Sequence, residues 1–88
     1  MAESEIIENI KEAGKKRKLI TMVYAKKYTE ETKNYILEPY EIKEGYFWGF
    51  NVDKNHIEKF IIDNIMAVEI TEYSFIPRWE IRLSTTSP

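Results

Sequence analysis

The stretch that most limits what this chain can fold into is Tyr46-Phe47-Trp48-Gly49-Phe50. It reads as a strand, with Tyr46, Trp48, Phe50 and Val52 on one face and Phe47, Gly49 and Asn51 on the other. A small domain needs large side chains inside, so Trp48 and Phe50 are expected in the core. Gly49 inside a strand signals a strong bend or a close backbone approach. The strand sits among others of the same kind. Residues 19–25 hold Ile20, Thr21, Val23 and Tyr24, and residues 35–42, 56–62 and 65–71 are similarly apolar and β-forming. Glu44-Gly45 and Asp53-Lys54-Asn55 punctuate them as tight turns, and residues 26–33 read as a polar hairpin loop. Pro39 cannot donate to a ladder and belongs at an edge or a bulge.

Before the strands, Ile6, Ile7, Ile10 and Ala13 recur at helical spacing, with Ser4 as N-cap, acids in the early turns and Gly14 as the C′ residue. After them, residues 75–83 carry Trp79, Ile81 and Leu83 in alternation with polar residues, a sixth strand or a strap over the sheet. Five short strands on tight turns predict a mainly β chain with an N-terminal helix and a small, strongly curved sheet or barrel. The expected layout is one domain over 1–83, with a helix over 5–13, a barrel over 19–71 and a C-terminal segment over 75–83. Residues 84–88 read as a disordered tail. With no Cys in 88 residues, stability has to come from apolar packing, and an aromatic share of 14% supplies it.

Several function classes lose their basis. No apolar run is long enough to span a bilayer, and the acidic N-terminus is no signal peptide, so a cytoplasmic chain without membrane contact is expected. His56 stands alone beside Asp53 and Glu58, a poor zinc set, so no metal and no cofactor are expected. No Ser-His-Asp arrangement or Gly-rich phosphate loop is present, and the chain is expected not to be an enzyme. Glu38 reads as structural, and Asp53 and Asp63 as turn caps. Net charge is −2, but residues 15–33 hold seven basic residues against two acidic ones, a local excess of +5 that leaves the rest at −7.

Taken in order, the motifs resemble those of the WYL domain, a ligand-sensing module of prokaryotic transcription regulators. Gly14 and Tyr24 match its opening helix and first strand, and Glu38-Pro39 its second strand. Phe47-Trp48-Gly49 followed by Asp53 falls on its name-giving triplet, and Phe60-Ile61-Ile62-Asp63-Asn64-Ile65 on its last motif. The resemblance implies an Sm-like, SH3-type barrel of five strands, without enzymatic activity, that senses nucleic acid or nucleotide-like ligands. Two departures stand out. No winged-helix stretch accompanies the domain, so it is expected not to regulate transcription by itself. Ile61 and Asn64 replace the motif's two arginines, the residues suited to bidentate phosphate contacts.

Two sets of candidate residues follow. Tyr24, Lys26, Lys27 and Lys59, with Arg78, would hold a single-stranded nucleic acid or nucleotide-like anion, the tyrosine stacking and the cations neutralising phosphate. Tyr40, Tyr46 and Trp48 are further candidate stacking rings. Alternatively Ile57 and Ile61, which share a face of the fourth strand opposite Phe60 and Ile62, form an apolar interface. It would be covered by the C-terminal segment through Trp79, by a second copy of the chain, or by another protein.

Overall fold

The computed structural model describes residues 2–26 and 31–83, with side chains from Glu5 onward. Helix α1 (Ala2–Lys16) leads into β1 (Lys18–Ala25), β2 (Thr32–Lys43), β3 (Tyr46–Asn51) and β4 (His56–Ile61). A 3-10 turn (Ile62–Asn64) then gives β5 (Ile65–Ser74). All neighbouring strands pair antiparallel in one five-stranded sheet of order β4-β3-β2-β1-β5. The chain is therefore mainly β with one N-terminal helix, as the sequence predicts.

The order forces the sheet to curl. β4 and β5 occupy opposite edges, which in a flat sheet would lie about 19 Å apart. Only Ile62–Asn64 separate them, a link that could reach at most about 14 Å even when extended. The edges must therefore approach each other. Tyr24 of β1 marks the approach: its hydroxyl accepts the backbone N–H of Ile61 at the end of β4, at 2.9 Å.

The concave face holds the core. Ile6, Ile10 and Ala13 of α1 pack on Ile20, Met22, Leu37, Phe47, Phe60 and Val68. The Phe47 and Phe60 rings stack at 6.1 Å across the β3–β4 pair. The amide of Asn9 donates to the Val68 carbonyl and ties the helix to β5. Around the sheet, Glu44 (φ 53) and Gly45 (φ 87) supply the two positive φ values of a two-residue hairpin turn.

Local differences from the sequence reading have physical causes. The helix starts before Ser4, which lies inside it, and runs on past Gly14 to Lys16. Arg17 (φ 55) takes the left-handed position that ends the helix, donating its N–H to the Gly14 carbonyl. Gly14 serves packing instead: a Cβ there would collide with the Leu83 side chain. Pro39 sits at the bulge between Pro39 and Glu41 in the β2–β3 ladder, beyond the stretch where β2 pairs with β1. Gly49 is a close-approach position, since a Cβ would meet the Phe47 ring at 3.0 Å and the Glu38 carbonyl at 3.3 Å.

The faces of β3 are reversed relative to expectation. Phe47 points into the core, Gly49 and Asn51 are buried on the same side of the strand, and Trp48 is a half-buried residue of the outer face. Phe50 is buried, but outside the main core, under the segment 75–83. That segment is a strap. Its single ladder contact is an isolated bridge between Glu41 and Arg82, with the Arg82 N–H donating to the Tyr40 carbonyl. Asn51, not Asp53, caps the β3–β4 turn, its Oδ1 accepting the N–H groups of Asp53 and Lys54 at 3.0 Å each. The 3-10 turn containing Asp63 has no side-chain cap at its start. The residues at 84–88 lie outside the described range.

Candidate binding face and strap

The register of β3 with β4 sets three pairs side by side on the outer surface: Tyr46 with Ile61, Trp48 with Lys59, and Phe50 with Ile57. Tyr46 is 36% exposed, Ile57 44% and Ile61 36%. The Lys59 ammonium lies 4.6 Å from the Tyr46 ring centre and 6.0 Å from that of Trp48. Among the described residues it has no carboxylate partner. The two rings are tilted against each other at 6.0 Å. The result is an open aromatic surface carrying one cation.

At the Phe50 end the strap closes this surface. Glu38 of β2 is buried, and a buried carboxylate is costly unless its oxygens are bonded and its charge paired. Here Tyr40 donates its hydroxyl to Glu38 Oε1 at 2.6 Å. Arg78 of the strap donates Nε–H to the same carboxylate at 3.2 and 3.3 Å. The backbone N–H of Arg78 donates to the Tyr40 hydroxyl at 2.8 Å, so the phenol both gives and receives. Burial pushes the Tyr40 phenol up to about 12. The Arg78 N–H, which favours a phenolate, offsets this in part, and the hydrogen bond and charge of Glu38 add to the rise. The Arg78 guanidinium lies over the Phe50 ring at 4.1 Å, and Trp79 packs edge-on to Tyr40 at 5.3 Å.

One cavity beside this latch, of about 540 Å³, is lined by Leu19, Glu38, Val52 and Arg78, and two more share Ile57 and Trp79. Of these two, one, of about 460 Å³, is lined by Trp48, Tyr40 and Arg82 together with the acids Glu41 and Glu80. The other, of about 530 Å³, is lined by Phe50, Asn55, His56 and Arg78.

The structure does not gather the sequence-derived anion set into one pocket. The Tyr24 ring is an edge-on partner of Tyr35 and Phe60, and its hydroxyl is engaged by Ile61. Lys26 is exposed at the end of β1, its ammonium 4.0 Å from Glu31. Lys27 lies outside the described residues. Lys59 belongs to the outer face and Arg78 to the strap. Of the apolar set, Ile57 and Trp79 come together around the two cavities they share, while Ile61 lies at the far end of the row, beside Tyr46. Sequence reasoning missed the latch formed by Glu38, Tyr40 and Arg78. Its only sequence signal was the sparse pairing of an acid next to a bulge proline with a distant arginine. Among the described residues, no cluster of three His, Cys, Asp or Glu could hold a metal ion, and no helix is long and apolar enough to cross a membrane.

No family model matches the chain, and no curated protein matches its sequence. Among solved structures, it is similar to proteasome accessory factor B/C (PafBC) of Arthrobacter aurescens, with a TM-score of 0.78 at 14% identity. The superposition covers 92% of this chain and 14% of that one, so the likeness reaches a small part of a much longer protein. At this identity it establishes a shared fold.

Proposed function

We propose that the chain is a non-enzymatic, WYL-like binding module of a cytoplasmic regulatory system. In this reading it takes a single-stranded nucleic acid or nucleotide-like anion on the outer face of β3 and β4. The sequence resemblance and the fold likeness to part of PafBC support the WYL-like assignment. The observation that carries the ligand class is the Lys59 ammonium lying over Tyr46 and Trp48 on an open surface. Exposed rings offer stacking platforms that any base can use, and a neighbouring cation meets the backbone phosphate. Lys59 stands two residues before Ile61, and in this reading it takes over part of the role of the missing arginines. Tyr24 holds the Ile61 end of β4 in place, and Lys26 adds positive charge beyond it.

A salt titration with a fluorescent single-stranded oligonucleotide tests the proposal. Binding is expected to weaken linearly in log salt, and Lys59→Ala to lower affinity and reduce the slope by about 1. No binding even at low salt sinks it. A second reading is favoured by the exposure of Ile57 and Ile61 on the same face: self-association or capture of a partner protein. Sedimentation at micromolar concentration separates the two, because a strict monomer removes the self-association form.

A further inference from the structure

We infer that the cavity between the β3–β4 turn and the strap is a subsite for a terminal phosphate, a phosphomonoester held by the outward edge of Arg78. For a strand end as its source, this rests on the nucleic-acid reading above.

Arg78 is held at three points. Its Nε–H donates to Glu38, its backbone N–H donates to Tyr40, and its guanidinium carbon lies 4.1 Å from the Phe50 ring centre. Its Nη groups make no hydrogen bond to any described residue, and the side chain is 48% exposed. A planar fork held from behind in this way leaves two parallel donors for two oxygens of one anion. Closing the strap alone would require only charge, which a lysine also supplies. The Glu38–Arg78 pair is formally neutral, so recognition here would depend on donor geometry and show a weaker salt response than at Lys59.

The cavity walls fit the same ligand. Residues lining it include no acid, whereas the adjoining cavity holds Glu41 and Glu80. Asn55, placed by its left-handed φ of 63, lines the wall with no side-chain hydrogen bond to a described residue. Trp79 is 51% exposed and lines the cavity, where it can cover a base or sugar. The choice of a terminal group follows from the strap. The open row of Tyr46 and Trp48 ends where Phe50, its third ring, is covered by Arg78 and Trp79. A strand lying along the row stops there, with its end at Arg78.

The test compares oligonucleotides of one sequence carrying a 5′-phosphate, a 3′-phosphate or neither, alongside a mononucleotide and inorganic phosphate. Affinity is read by anisotropy, and Arg78 directly by NMR of the Nε–H groups of the chain's three arginines. One phosphorylated end is expected to bind about tenfold tighter or more than the hydroxyl end, with the Arg78 resonance shifting on addition. Arg78→Lys should collapse that ratio to about one. Should Arg78→Lys fail to fold, Glu38→Gln replaces it: the amide oxygen can still accept from Nε–H while the pair gains net positive charge, so the preference should persist or grow, and its loss in the folded variant overturns the subsite. Equal binding of all ends with an unmoved Arg78 resonance overturns the subsite while leaving the outer face standing. An Arg78 shift with inorganic phosphate or mononucleotide, but no oligonucleotide binding, supports the subsite and overturns the nucleic-acid reading.

Discussion

β3 and β4 present two faces built from alternate residues of the same strands, and the two have opposite fates. Inward, Phe47 and Phe60 stack under α1 and are almost fully buried. Outward, Tyr46, Trp48, Lys59 and Ile61 have no helix over them, and the strap covers Phe50 and borders Trp48. Both faces are rich in apolar surface, so hydrophobicity does not distinguish them. What distinguishes them is a lid. The helix supplies one on the concave side, where curvature brings many side chains to a common centre. On the convex side Tyr46 and Trp48 lie as close to each other, at 6.0 Å, but have no such cover.

The sharpest way to break this contrast is Phe47→Ala, expected to cost about 3–5 kcal/mol of stability in urea unfolding, against less than about 1 for Trp48→Ala. Similar losses at both positions would mean that the outer face is a second core. Next in size is the latch joining the two sides. Tyr40→Phe removes the donor to Glu38 and the acceptor for the Arg78 N–H, and is expected to cost about 1–3 kcal/mol. It also has a pH signature. The folded phenol titrates at about 12, above its ordinary value of 10, so the unfolded chain loses this proton first. Stability is fully present below about pH 10 and falls as pH rises toward 12. Tyr35, raised chiefly by burial, pushes the same way. Urea midpoints across that range should fall in the native chain and fall less in Tyr40→Phe. The smallest effect belongs to Ile61→Asp, expected within about 0.5 kcal/mol of the native stability because its side chain lies outside the core and its backbone bond to Tyr24 survives. Marked unfolding of this variant would show that the outer face is covered after all.

Much of the fold was legible because local chemistry dictated it. The helical stripe of Ile6, Ile10 and Ala13, the Glu44-Gly45 turn and the alternation of Phe60 and Ile61 each admit one reading. The aromatic centre did not, because Tyr46, Phe47, Trp48 and Phe50 load both faces of the strand. Alternation then fixes which residues travel together, and not which set turns inward. Gly49 was the better guide: it follows Phe47 on the core face, where a side chain would collide with that ring. The candidate site was less legible. Ile57, Ile61 and Lys59 could be placed on one face from β4 alone. The latch could not, since Glu38 and Arg78 meet only when a strap with almost no ladder bonding folds back over β2.

Leu83 is buried at the end of that strap, seated on Gly14 in the first element of the fold. Synthesis delivers the glycine long before the leucine that fills it. The contact that seals the core beside α1 therefore joins positions near opposite ends of the described chain, and it exists only once both are in place.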